Sequence, residues 1–161
     1  AFTSLQEISL KTLNNFAKKL NEDLQRAISQ QGKTIFEVIT LASIVEKEVP
    51  QAADKKMIAD IFLKRLDASI GLQSDATINF ITGKGLVQPT LEDLKIDSPY
   101  NTYKYRGLPP GPIANPGLDS IKAVIYPTSN PYYYFLTTKE GEVIYSRTYE
   151  EHLVNKKKYL Q

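Results

Sequence analysis

The 161 residues contain no cysteine, which excludes a disulfide framework, a thiolate nucleophile and a Cys-based metal site. The single histidine, His152, has no cysteine or second histidine to join it as a metal ligand, so neither a metal nor a cofactor is expected. Neither sign of charge dominates: a net charge of +2 gives no reason to expect a nucleic-acid partner. No apolar run reaches the ~18 residues a membrane span needs. No secretory leader is visible. P-loop, G-x-G-x-x-G and G-x-S-x-G patterns are missing too, which removes the common nucleotide-binding and serine-hydrolase signatures. The chain opens AFTSLQ, without methionine, as a processed or truncated fragment that has lost an N-terminal anchor would.

What is present reads as one globular domain with a helical appendage: 42% of residues are hydrophobic and 24% charged, over a length that can bury a sizeable core. A Ser or Thr followed three residues later by an acid marks four candidate starts, at Ser4, Thr34, Thr90 and Thr148. After Ser4, Leu5, Ile8, Leu13, Phe16, Leu20, Leu24 and Ile28 form a one-faced stripe, predicting a helix that ends near Gly32. From Ile35 to Val49 the chain is apolar nearly all round and is expected to be a buried helix closed by Pro50. Met57, Ile58, Ile61, Phe62 and Leu66 predict an amphipathic helix ending before Gly71. The stretch RGLPPGPIANPG (106–117) is a loop whose prolines and glycines fix its path. A short helix is expected over Leu118–Tyr126, a β-hairpin where YYYFLTT and EVIYSRT flank KEG, and a last helix over Tyr149–Tyr159. The expected class is α+β, helical before Gly83 and mixed after it.

The chemistry is sought among carboxylates. Glu46 and Glu48 both fall in the last turn of the apolar helix, where apolar surroundings and the helix dipole raise a carboxyl pKa. A free glutamate titrates near ~4.3, whereas a general acid works best near ~6. Glu46 shares its face with Ile39, Ala42 and Ser43, two of them small, which leaves room for an approaching group. Glu48 shares its face with the bulkier Leu41, Ile44 and Val45. The plain alternative is a polar helix end meeting solvent. Asp75, in GLQSDATI, is either a second site carboxylate or, with Ser74, a cap on the next helix. Gln73 suits a sugar hydroxyl or a surface turn. Tyr100, Asn101, Thr102 and Tyr103 combine aromatic rings with an amide and a hydroxyl, which fits a sugar ring as well as core packing. His152 reads as a surface or packing histidine.

In their order and spacing, LASIVEKEV, IFLKRLDASIGLQSDATI, SPYNTYKYRGLPPGPIANPGLDSIKAVIYP and YYYFLTT resemble the YceG-like family, the MltG-type endolytic murein transglycosylases of bacteria. The likeness runs from about Ile35 to the C-terminus and divides the chain into an N-terminal helical segment, 1–33, and a catalytic domain, 34–161, with a lysozyme-like cleft. Ala76 stands where the family usually has proline, at a helix start where proline would only stiffen the turn. The resemblance implies cleavage between MurNAc and GlcNAc inside peptidoglycan strands, leaving a 1,6-anhydro-MurNAc end. It also implies cell-wall synthesis machinery as a partner, and a position on the extracytoplasmic face of the bacterial membrane, held there by an anchor missing from this chain. One carboxyl suffices for this chemistry, and the resemblance assigns it to Glu46. Glu48 and Ser43 become supporting groups, and Gln73, Ser74, Asp75 and Tyr100 to Tyr103 line the cleft, with Asp75 or the 100–103 segment meeting the Glu46 carboxyl. A hydrolytic muramidase using Asp75 as second carboxylate, or a non-catalytic peptidoglycan-binding module, are the alternatives.

Overall fold

Capping chemistry sets most of the helix boundaries. The computed structural model describes residues 4–86 and 88–160, so residues 1–3 of the N-terminal segment lie outside the described residues. Ser4 and Thr34 each complete a reciprocal capping box with the glutamate three residues on, opening α1 (Leu5–Lys19) and α3 (Ile35–Glu48). The expected single N-terminal helix is in fact two. Asn21 accepts a hydrogen bond from the Leu24 backbone N–H and starts α2 (Glu22–Gln30), since a local side-chain cap competes with continuing the helix. Helix α3 stops at Glu48 because Val49, ahead of Pro50, is extended (φ −149°, ψ 148°). Helix α4 (Ala52–Asp67) follows, then α5 (Asp75–Thr82). Thr90 and Asp93 exchange the bonds of a helix start, yet only a 3₁₀ turn, Asp93–Lys95, grows from it. The proline- and glycine-rich loop leads to α6 (Leu118–Ile125). The antiparallel pair β1 (Tyr134–Thr137) and β2 (Val143–Ser146) comes next, then α7 (Tyr149–Tyr159), capped by Thr148.

Helix α3 lies at the centre, with α4 and α6 packed on it and on each other. Val38, Leu41, Ala42, Ile44 and Val45 of α3 are buried against Ile58, Ala59 and Phe62 of α4 and Ile121, Ala123 and Val124 of α6, and Leu24 and Ile28 of α2 join the same core. An apolar helix is buried on nearly every side when it is surrounded this way. The stripe on α1, by contrast, stays exposed at Leu5, Leu13 and Phe16. The hairpin packs on α4 through Phe135 and Phe62, whose rings meet edge to face at 5.8 Å, and α7 lies against both strands. The molecule is α+β, with one hairpin among the described residues. Between the C-terminal end of α3 with α5 on one side and the hairpin with α7 on the other, a cleft of about 1080 Å³ opens.

Candidate active site

The two glutamates of α3 sit two residues apart, about 200° around a helix of 3.6 residues per turn, so they face different neighbours. Glu46 faces the proline-rich loop and α6. Its Oε2 accepts from Lys55 Nζ at 3.0 Å, from the Gly117 backbone N–H at 3.1 Å and from the Ser120 hydroxyl. Burial alone would raise this carboxyl, but the Ser120 hydroxyl, the Lys55 ammonium and the Gly117 N–H outweigh it and hold Glu46 below its ordinary pKa. This corrects the expectation of a raised value: three donors on one oxygen stabilise the ionised form. Nor do Ala42 and Ser43 leave an open approach, because the loop fills it. Ser43 is fully buried, donates to the Thr40 carbonyl and accepts from the Ile113 backbone N–H at 2.9 Å. Glu46 does not line the cleft, and neither does Ser43.

Glu48 does line it. Its carboxylate accepts from the Ser74 hydroxyl. Burial pushes its pKa up, the Ser74 bond pulls it down, and the negative charge of Asp75 raises it further; the outcome is about 7 rather than 4.5. Ser74 is the N-cap position of α5, but its side chain makes no capping bond, having turned to Glu48 instead. The turn before it is held in an unusual shape. Gln73 is a non-glycine residue at φ +51°, a conformation that persists only where its surroundings over-determine it. Here its N–H donates to the Thr102 carbonyl at 3.1 Å, and its side-chain oxygen accepts from Arg65 Nη2 at 2.9 Å. Arg65 Nε also holds the Gly71 carbonyl at 3.0 Å. A Cβ on Gly71 would stand 3.1 Å from the Thr102 carbonyl oxygen, so any side chain at that position would crowd the 100–103 segment.

The 100–103 segment divides between lining and scaffold. Tyr103 lines the cleft and donates its hydroxyl to Asp75, whose carboxyl is raised mainly by burial despite that bond. Thr102 is buried behind the wall. Its Oγ1 accepts the Ser74 N–H at 3.1 Å and pairs with the Thr77 hydroxyl at 2.9 Å. Asn101, fully buried, ties the Leu94 and Ile96 carbonyls to its own turn. Tyr100 packs on Phe80, ring centroids 4.8 Å apart, without lining the cleft. Neither Asp75 nor this segment hydrogen-bonds Glu46 among the described residues; Ser74 bonds Glu48 instead, and Asp75, held by Tyr103, lies close enough to act on it. Arg65 and the hairpin–α7 wall, with Tyr134, Lys139, His152 and Lys156, were not anticipated as cleft residues. His152 is half-buried with its ring on Tyr134 at 5.5 Å. Among the described residues no cluster of three or more His, Cys, Asp or Glu side chains is placed to hold a metal ion, and no helix is long and apolar enough to cross a membrane.

The model of the YceG-like family matches residues 2–158. The chain belongs to the YceG-like family. The endolytic murein transglycosylase of Bacillus subtilis (strain 168) is 37% identical over 161 residues, covering 98% of this chain and 44% of that protein. The Streptococcus pneumoniae D39 protein of the same name is 40% identical over 131 residues, covering 78% of this chain and 24% of that protein. A 2.6 Å crystal structure of a yceG-like protein from Listeria monocytogenes superposes with a TM-score of 0.86 at 38% identity, covering 94% of this chain and 49% of that one. This YceG-like chain thus spans less than half the length of the relatives it matches.

Proposed function

We propose that this YceG-like domain cleaves murein glycan strands internally as a lytic transglycosylase, with Glu48 in place of Glu46 as its acid and base. The observation that carries the reading is the carboxyl of Glu48, in the cleft wall and pushed up to about 7, where a large fraction holds a proton at neutral pH. Protonated Glu48 gives its proton to the glycosidic oxygen between MurNAc and GlcNAc as the C1–O bond breaks. The resulting carboxylate then takes the proton from the C6 hydroxyl of the same muramyl ring as that oxygen closes on C1. Water is neither added nor released, the product is a 1,6-anhydro-MurNAc end, and one carboxyl serves both halves. Ser74 orients Glu48, and Asp75, held by Tyr103, keeps a second negative group close enough to favour the protonated form. Glu46 becomes a structural anchor for α3.

Residues 34–161 carry this site in our reading, with segment 1–33 joined to it through Leu24 and Ile28 of α2. Its place is the extracytoplasmic side of the bacterial membrane, where murein and its synthesis machinery meet, with the anchor supplied by sequence beyond this chain. The names of the B. subtilis and S. pneumoniae relatives support the substrate class. Digestion of purified murein followed by mass spectrometry tests the reading: anhydro-muramyl ends are expected. Reducing ends, heavier by one water, would instead identify a hydrolase with Asp75 as second carboxylate, and no product at all would identify a binding module.

A further inference from the structure

The lining of the cleft changes character across its width. Phe80 and Leu86, from α5 and the loop after it, supply apolar surface, whereas the hairpin–α7 wall is basic. Lys139 and Lys156 are exposed there, and no ion pair holds either side chain among the described residues. Behind them Arg65 is buried with only neutral acceptors: the carbonyls of Gly71 and Tyr133 and the side-chain oxygen of Gln73. Its guanidinium lies 5.4 Å from the centre of the Tyr134 ring, on which His152 stacks. His152 Nδ1 is buried without a hydrogen-bond partner, and both Lys156 and Arg65 act on this imidazole. The acid near Lys156 is Asp75, already engaged by Tyr103. The lining on that side of the cleft therefore carries three cations and an imidazole nitrogen without a hydrogen-bond partner, and the one acidic side chain in the lining beside Lys156, Asp75, already accepts from Tyr103. A neutral polysaccharide can accept hydrogen bonds from such a wall but offers no charge to pair with it. A muramyl residue does, because its lactyl ether ends in a carboxyl group, either free or extended by a stem peptide that carries carboxylates of its own.

We propose that Lys139 and Lys156, backed by Arg65 and His152, form a subsite for a carboxylate carried on the muramyl residue of the substrate. It rests on the reading of the cleft as a glycan site and adds what selects murein over an uncharged chitin strand. The test is binding by the whole chain carrying Glu48→Gln, so that strands survive the titration; cutting during the titration would refute the role of Glu48 without touching the subsite. Three ligands of equal length are compared by calorimetry: strands with stem peptides, strands stripped by an amidase to the free lactyl carboxylate, and chitin oligomers. At low salt one or both anionic ligands should bind on the order of fivefold tighter than chitin, the scale of one or two half-exposed charge pairs. The tighter of the two identifies the source of the carboxylate. The preference should disappear at high salt and in the Lys139→Gln/Lys156→Gln double variant. Both lysines are exposed, so melting and circular dichroism should show an intact fold. Equal binding of chitin and muramyl strands, or a preference that survives the double variant, overturns the subsite. Failure to bind any of the three overturns the glycan-cleft reading with it.

Discussion

Replacing Glu46 and Glu48 by glutamine, one at a time, should separate stability from activity. At Glu46 the amide oxygen can still accept from Gly117 and Ser120, but the charge facing Lys55 is gone, and the Lys55 side chain is only 8% exposed. Breaking a fully buried ion pair costs about 3–5 kcal/mol. Glu46 is 30% exposed and keeps two neutral bonds, so about 2–3 kcal/mol is expected. At about 2–4 °C per kcal/mol for a chain of this length, the melting temperature should fall by about 4–12 °C. Cleavage by the folded fraction should stay within about threefold of wild type, because Glu46 touches no cleft group. Glu48→Gln should do the reverse. It removes both proton steps, which are worth about 10²–10⁴-fold in rate. It also relieves a desolvated carboxyl, so at neutral pH melting should rise by about 6–12 °C. Anhydro-muramyl product formation and thermal melting, measured on both variants at the same pH, decide the matter. A folded but inactive Glu46→Gln protein beside an active Glu48→Gln protein would refute the assignment made from the cleft.

Two further outcomes follow from the same geometry. Glu48 titrates at about 7 when folded and near 4.5 otherwise, so across that window the folded state keeps a proton that the unfolded chain has released. Its contribution to stability is therefore greatest below 4.5 and is lost as pH rises to about 7, by on the order of 3 kcal/mol at ~1.4 kcal/mol per pH unit. Denaturant melts of wild type and Glu48→Gln at several pH values should converge in acid and diverge towards neutrality, and parallel curves would count against the raised pKa. Arg65→Lys should lower kcat about tenfold with little change in KM, since one ammonium cannot hold Gly71 and Gln73 together as a planar guanidinium does, and the turn bearing Ser74 loosens. A lower melting temperature with unchanged kcat would leave Arg65 a purely structural residue.

Most elements could be read from local signals because their causes are local. The capping pairs at Ser4 and Thr34, the stop before Pro50 and the aromatic strands around KEG each depend on residues a few positions apart. The break at Asn21 was missed because a continuous apolar stripe hid the cap within it. The site was legible only in part. Both glutamates stood out, and the turn at 73–75 was singled out, but which glutamate faces the cleft depends on where the loop 106–117 lands, some 70 residues downstream. The small neighbours beneath Glu46 suggest open space in the sequence, whereas Ile113 and Gly117 occupy that side. The basic wall was invisible for a related reason: no local pattern brings α7 across the cleft from α5, and Lys139, His152 and Lys156 have ordinary neighbours in sequence.

Helix α3 is clamped at Ser43 and at Glu46 by two backbone N–H groups of one loop, four residues apart in that loop and one helical turn apart on α3. A clamp with two teeth resists sliding as well as rotation. Glu48 lies just past the second tooth, so the loop acts as a gauge for how far that carboxyl reaches into the cleft. Changes of loop length between the two teeth should therefore shift the Glu48 carboxyl, two residues past the second one. In laboratory evolution from a weakened variant, restored cleavage should then arise from substitutions in residues 114–117, which lie outside the cleft lining and make no contact with Glu48.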